Sequence, residues 1–300
     1  MMKTSIHSGL LPNQSQADGV KWVLLAPSRN VSPGSKKTGQ TLPPSPSEQP
    51  ATETPMTSAS RLVAIAVDHP DVFQQATRLA RKGRVVVLHA PATRLLEHHA
   101  DYDHLSAVEK ARYQSFQSPL AAEEFRAGRL LMRAVYANWF SCPPRNIEIT
   151  SQPHEKPQLL SFGSEGIDTQ PQLNLSHSAG HIALAVHQSQ PIGLDIELSK
   201  ASEADCREGL DQIFTQEEII YLCACLDQAE ANYRFLTLWR AKEAIMKATG
   251  LGFSLPPNSF TVLDQNGTVS KRVVVENRTW YLDRLPLTQS IDAACAWADH

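Results

Sequence analysis

Two periodicities run along this chain, and the switches between them mark its elements. RLVAIAV (61–67) and RVVVLHAP (84–91) are short, β-branched apolar runs that predict strands. Between them, DVFQQATRLARKG predicts a helix that starts near Asp71 and stops at Gly83. Helical spacing returns in SAVEKARYQSFQ (106–117), where Ser106 and Glu109 form an S-x-x-E capping box. A longer helix is predicted at AAEEFRAGRLLMRAVYANWF (121–140), with acids in its first turn and arginines further on. PRNIEITSQ (144–152) and HIALAVH (181–187) predict strands.

In the second half, EADCREGLDQIF (203–214), TQEEIIYLCACLD (215–227) and EANYRFLTLWRAKEAIMKATG (230–250) predict helices. Thr215 caps the second and Gly250 ends the third. Four strands are predicted next: SFTVLD (259–264), VSKRVVVEN (269–277), TWYLDRLPL (279–287) and SIDAACAWAD (290–299), with DQNG as a hairpin turn between the first two. Each half mixes helices with strands and closes on an Ala-rich strand. The predicted fold class is therefore α+β in two similar halves, 61–188 and 189–300.

PIGLDIELSK (191–200) departs from a plain buried strand. Strand alternation puts Gly193, Asp195 and Glu197 on one face and Ile192, Leu194 and Ile196 on the other. Two carboxylates about 7 Å apart at their bases repel, and burying them is costly without a neutralising cation or proton. One reading is a strand end reaching solvent. The other is a hard-cation site such as Mg²⁺, with Gly193 leaving room on that face.

A third acid lies on the 230–250 helix. Trp239, Glu243 and Lys247 fall in one row at four-residue spacing, and Glu243 borders the apolar stripe of Phe235, Leu238, Trp239 and Met246. Glu243 either makes an i,i+4 ion pair with Lys247, about 0.2–0.5 kcal/mol, or joins Asp195 and Glu197 around an ion. In the second case Lys242 and Lys247 flank the ion, as a magnesium–diphosphate complex requires. NLSHSAG (174–180) reads as a ligand loop whose Ser176, Ser178 and backbone N–H groups meet phosphate oxygens while His177 adds a cation. A Ser-His hydrolase dyad is disfavoured, because adjacent residues rarely align for it and no G-x-S-x-G is present. Lys156-Pro157 is a rigid, extended dipeptide suited to aiming the lysine.

Composition changes the picture at three points. Residues 1–60 hold 8 of the 20 prolines and 10 serines, too little apolar area to offset chain entropy, so a disordered leader is expected there. The net charge of −3 gives no support for nucleic acid binding. The five scattered cysteines form no CxxC pair, which argues against a zinc site or disulfide framework and for a reducing cytoplasm. No apolar run approaches 18 residues, so no membrane span is expected.

In order, KP, NLSHS, IGLDIE and LWRAKEAIMKATGLG resemble the 4′-phosphopantetheinyl transferase superfamily in its surfactin-synthetase-activating, pseudodimeric form. The resemblance covers about residues 85–300 and implies two similar α+β halves, related by a pseudo-twofold, with the active site between them. It further implies transfer of the phosphopantetheine arm of coenzyme A to a serine of an acyl or peptidyl carrier protein, by a monomer, releasing adenosine 3′,5′-bisphosphate. Asp195, Glu197 and Glu243 would be the magnesium ligands, with Glu243 and Lys247 catalytic. Lys156, Pro157, Ser176 and His177 would contact the nucleotide end of coenzyme A, and Lys242 and Lys247 its diphosphate and pantetheine. The family often carries a basic residue two before the Phe of its first long helix. Glu123 stands there in this chain, with Arg112 ranked first, ahead of Arg126 and Lys110, as its substitute. Residues 61–83 precede the usual start of the family. A non-catalytic coenzyme A or carrier-binding protein and a metal-dependent phosphohydrolase are the alternatives. The arginines 126, 129 and 133 offer a basic helix surface to an acidic carrier, or a solvated or ligand-facing side.

Overall fold

In the computed structural model of the protein, the described residues are 61–100, 103–150, 157–161, 170–199 and 209–298. The leader expected at 1–60 and the predicted site residue Lys156 lie outside them. The first half contains strands β1 (Leu62–Ala66), β2 (Val85–Pro91), β3 (Glu148–Ile149), β4 (Leu159–Ser161), β5 (Gln172–Ser178) and β6 (His181–His187). Its helices are α1 (Asp71–Arg81), α2 (Ala92–His98), α3 (Ala107–Ser115) and α4 (Pro119–Phe140). The second half has β7 (Ile192–Leu198), α5 (Leu210–Ile213), α6 (Gln216–Cys223), α7 (Gln228–Thr249), β8 (Arg272–Val275), β9 (Arg278–Pro286) and β10 (Ile291–Ala298).

Two four-stranded sheets result, ordered β1-β2-β6-β5 and β7-β10-β9-β8, beside a small β3-β4 pair. The halves repeat one plan. β2-β6-β5 matches β7-β10-β9 strand for strand, every pairing antiparallel, and each half packs one 22-residue helix (α4, α7) on its sheet. The two-half α+β architecture agrees with the expectation. β1 and α1 are an addition to this plan. β1 pairs in parallel with β2, and α1 buries Val72, Phe73, Ala76 and Ala80 beneath the sheet.

Strand alternation builds four layers. On one side of the first sheet, Val86, Leu88, Ile182, Leu184 and Val186 pack against α1 and α4. On its other side, Val85, Val87, Ala183 and Ala185 meet Ile192, Leu194, Ile196, Cys295 and Trp297 of the second sheet. Ala294, Ala296 and Ala298 then face α7. Each large apolar side chain in the middle layer contributes about 1.5–3 kcal/mol by burial, so the halves are held face to face. β1 braces this contact: Leu62 packs against the middle layer, and the Arg61 guanidinium lies 5.4 Å from the Tyr281 ring centroid.

Several local expectations change. NLSHS is not a loop but most of strand β5. SFTVLD forms no strand; only a single bridge, Leu263–Val269, spans the DQNG turn. The regular hairpin joins β8 to β9 through Glu276 and Asn277, both at positive φ (52° and 57°), as a primed turn requires. Helix α2 follows β2 directly and was not predicted. Of the helix predicted at 203–214, the described part is helical only over Leu210–Ile213. The Ser106–Glu109 capping box is present as predicted, and Glu109 has a second task. Fully buried, it takes ion pairs from Arg129 and Arg133, so these two arginines are internal rather than a carrier-facing surface. Arg126 pairs with Asp103.

Candidate active site

The edge strands of the two sheets, β5 and β7, run side by side at the junction of the halves. β5 uses its side chains as a substitute ladder. Asn174 Oδ1 accepts the Leu194 N–H (2.8 Å), and Ser176 Oγ accepts the Ile196 N–H (3.2 Å). Ser176 Oγ also donates to Asp195 Oδ1 (3.2 Å), and Ser178 Oγ donates to Glu197 Oε2 (2.9 Å). The N-x-S-x-S alternation thus places three short polar groups on one face of β5, where they fix the acidic pair. His177, between them, points the other way. It is 54% exposed and sits 2.9 Å from Glu124 Oε2, while Glu124 Oε1 accepts the Gly180 N–H (2.7 Å). Burial favours the neutral Glu124, but His177 and that N–H together hold its carboxyl below the ordinary range.

Helix α7 lies directly on the acidic face of β7, and Gly193 is what permits this. A Cβ at Gly193 would stand 2.0 Å from Ala244 O and 2.3 Å from Ala248 N, both backbone atoms. The space expected at Gly193 for an ion is therefore occupied by the helix. This contact carries Glu243 and Lys247 to the acid pair. Lys247 Nζ is 2.7 Å from Asp195 Oδ1 and 3.2 Å from Glu243 Oε2, so the i,i+4 pair and the third-carboxylate arrangement coexist. Asp195 is buried, and its Oδ2 has no hydrogen-bond partner.

The electrostatics follow from this crowding. Burial and then the neighbouring Asp195 push the Glu197 carboxyl up to about 7. Burial also raises Glu243, against the pull of Lys247. Burial disfavours the Lys247 ammonium, but Asp195 and Glu243 outweigh it and hold the proton more tightly than usual. Two carboxylates, Asp195 and Glu243, thus hold one ammonium, and Glu197 lies beside Asp195. No set of three or more His, Cys, Asp or Glu side chains among the described residues is already arranged as a metal cage.

Other predicted residues lie elsewhere. Lys242 does not flank the cluster. It is fully buried, 2.8 Å from Glu218 Oε2, and donates to the Pro257 and Phe260 carbonyls (2.7 and 2.6 Å). A helix row explains this: Glu243 and Lys247 face β7, and Lys242 is rotated about 100° away. Ser176 is buried and its hydroxyl is committed to β7, so it is not a free phosphate contact. Arg112 lies 5.6 Å from the Phe125 ring centroid in the first half. Pro157 is half-buried, two residues before β4. Sequence reasoning missed Arg240 and Asp292 (3.4 Å apart) and Glu218, whose partners come from distant segments. It also missed the capping of β7 by Asn174, which the period-two alternation of NLSHS signalled.

Two matched α+β halves thus meet at a junction that gathers three carboxylates and a lysine. Comparisons with known proteins specify the family. Residues 191–296 match the family model of the 4′-phosphopantetheinyl transferase superfamily. The chain is 32% identical over 179 residues to the 4′-phosphopantetheinyl transferase Sfp of Bacillus subtilis (strain 168), spanning 55% of this chain and 75% of that protein. It is 30% identical over 166 residues to the 4′-phosphopantetheinyl transferase gsp of Aneurinibacillus migulanus, covering 54% of this chain and 64% of that one. It is 29% identical over 151 residues to the 4′-phosphopantetheinyl transferase HetI of Nostoc sp., covering 50% and 61%. The chain belongs to the 4′-phosphopantetheinyl transferase superfamily and is an enzyme of that class, of the Sfp type.

Proposed function

We propose that the protein transfers the 4′-phosphopantetheine arm of coenzyme A to a serine of an acyl or peptidyl carrier protein, with Mg²⁺, releasing adenosine 3′,5′-bisphosphate. The observation that carries this reading is the three-acid cluster around Lys247, with one Asp195 oxygen left without a partner. A buried, unpartnered carboxylate oxygen beside two acids with raised pKa values suits a divalent cation. Asp195, Glu197 and Glu243 would hold it. Bound there, the ion supplies charge neutralisation for a diphosphate and its departing half.

The chain's own groups do the rest. Lys247 sits within reach of both acids and would turn to a phosphate oxygen once a cation takes over their charge. Glu243, buried beside Lys247 on the acidic face, is the group assigned to accept the carrier serine's proton. The serine oxygen then bonds to the phosphorus on the pantetheine side, and the bond from that phosphorus to the bridging oxygen breaks. The electron pair leaves on the adenosine bisphosphate. His177 and Arg112, with Pro157 and Lys156, are assigned to the nucleotide end of coenzyme A. Lys242 and Ser176 are not, for the reasons of geometry above. On this reading units 61–188 and 189–300 work as one monomeric body. A cytoplasmic setting is assigned because the five scattered cysteines contain no CxxC pair. No helix among the described residues is long and apolar enough to cross a membrane.

The test is intact-mass analysis of a panel of apo carrier domains incubated with coenzyme A, Mg²⁺ and the protein. The expected result is gain of one phosphopantetheine by at least one carrier, blocked by chelation. Release of adenosine bisphosphate without any carrier would instead favour a phosphohydrolase. No modification of any carrier, with coenzyme A still bound, would favour a binding protein.

A further inference from the structure

Arg240 lies at the back of the acid cluster, on the α7 stripe that also carries Tyr233 and Lys247 at seven-residue spacing. Its side chain is 1% exposed, and it makes an ion pair with Asp292 Oδ2 at 3.4 Å. Its Nε and Nη1 have no hydrogen-bond partner. Asp292 on β10 stands directly opposite Glu197 on β7 in the sheet register, so the two carboxylates are cross-strand neighbours on one face. Asp195 and Glu197 also act on the guanidinium through their charge. Four carboxylates (Asp195, Glu197, Glu243, Asp292) are therefore served by Lys247 on one side and Arg240 on the other. Arg284, a further cation acting on Arg240, donates to the Tyr233 hydroxyl (3.1 Å).

We propose that Arg240 is a positioning residue for the transfer reaction: it holds Asp292 away from Glu197 as a fourth cation ligand and keeps the cluster from becoming too negative to admit a diphosphate. This inference rests on the functional reading above. It separates two quantities that a purely structural role would move together. Loss of Arg240 adds net negative charge, so a bare cation binds more tightly while an anionic co-substrate binds more weakly.

Calorimetric titration with Mn²⁺ alone, paired with steady-state transfer kinetics on the full chain, makes the test. Arg240→Met is expected to bind Mn²⁺ about tenfold more tightly and to raise KM for coenzyme A about tenfold, with a smaller change in kcat. Arg240→Lys should restore both. Asp292→Asn leaves Arg240 uncompensated and should weaken Mn²⁺ binding, so the inference stays testable if Arg240→Met does not fold. Arg240→Met/Asp292→Asn should return Mn²⁺ affinity toward wild type. Unchanged or weaker Mn²⁺ binding in Arg240→Met, or unchanged binding in Asp292→Asn, would overturn this inference alone. Failure of the wild-type protein to bind Mn²⁺ would overturn the functional reading and this inference with it.

Discussion

Gly193→Ala adds one methyl group at the point where α7 rests on β7. The new Cβ would lie 2.0 Å from Ala244 O, 2.3 Å from Ala248 N and 2.9 Å from Ala248 Cα. Ordinary contact begins at 3.4 Å, so the shortest of these requires a separation of about 1.4 Å between helix and strand. All three obstructing atoms are backbone atoms within α7, so no side-chain rotation relieves them. Overpacking of this kind costs about 1–3 kcal/mol. The functional effect is separate from the loss of stability. Glu243 and Lys247 ride on α7, and a displacement of about 1 Å at a reacting centre costs on the order of 10²-fold in rate. Urea unfolding and carrier-modification kinetics on the purified variant measure the two effects separately. The expected variant is folded at 25 °C, with a lowered midpoint and a rate reduced at least about 10²-fold. Wild-type stability together with wild-type turnover would refute the claim that this close approach builds the site.

Other variants isolate single contacts. Glu243→Gln keeps shape and removes charge; turnover should fall by about 10²–10³-fold or more, while circular dichroism and thermal midpoint stay near wild type because a buried carboxylate is relieved. Lys242→Met or Glu218→Gln breaks a fully buried ion pair, and equilibrium unfolding should show a loss of about 3–5 kcal/mol, with the surviving folded fraction turning over normally. Glu197 is raised to about 7 from an ordinary 4.5, so its folded form binds a proton that the unfolded chain has released. In chelator, stability should therefore fall as pH rises from about 4.5 through 7, by up to about 3 kcal/mol at about 1.4 kcal/mol per unit. A midpoint flat across that window would show that burial and Asp195 do not raise Glu197, and Mg²⁺ should restore stability above pH 7.

Much of this was legible in the sequence because it rests on local periodicity. The acidic face of β7 follows from alternation, the Glu243–Lys247 row from helical spacing, and the Ser106–Glu109 box and Gly250 stop from capping chemistry. What escaped depends on which way a helix is rotated in the assembled fold. Lys242 and Glu243 are neighbours in sequence, yet one turns to Glu218 and the other to β7. No window of sequence reveals that Glu218 waits for Lys242, or that Asp292 faces Glu197 across two strands. The polar residues of NLSHS suggest ligand contact and so a loop. The segment is a strand whose polar face is satisfied by the edge of the other half. Gly193 suggests room for an ion on the acidic face, but that room is filled by the backbone of α7.

The proposed function requires one cation held jointly by Asp195, Glu197 and Glu243. Anomalous diffraction at the manganese edge, from crystals grown with Mn²⁺ and coenzyme A, tests this most directly. The expected result is one strong peak coordinated by those three carboxylates and by the diphosphate, with Lys247 moved from Asp195 to a phosphate oxygen. A diphosphate bound away from these residues, or a peak there with Lys247 still bridging Asp195 and Glu243, would contradict it.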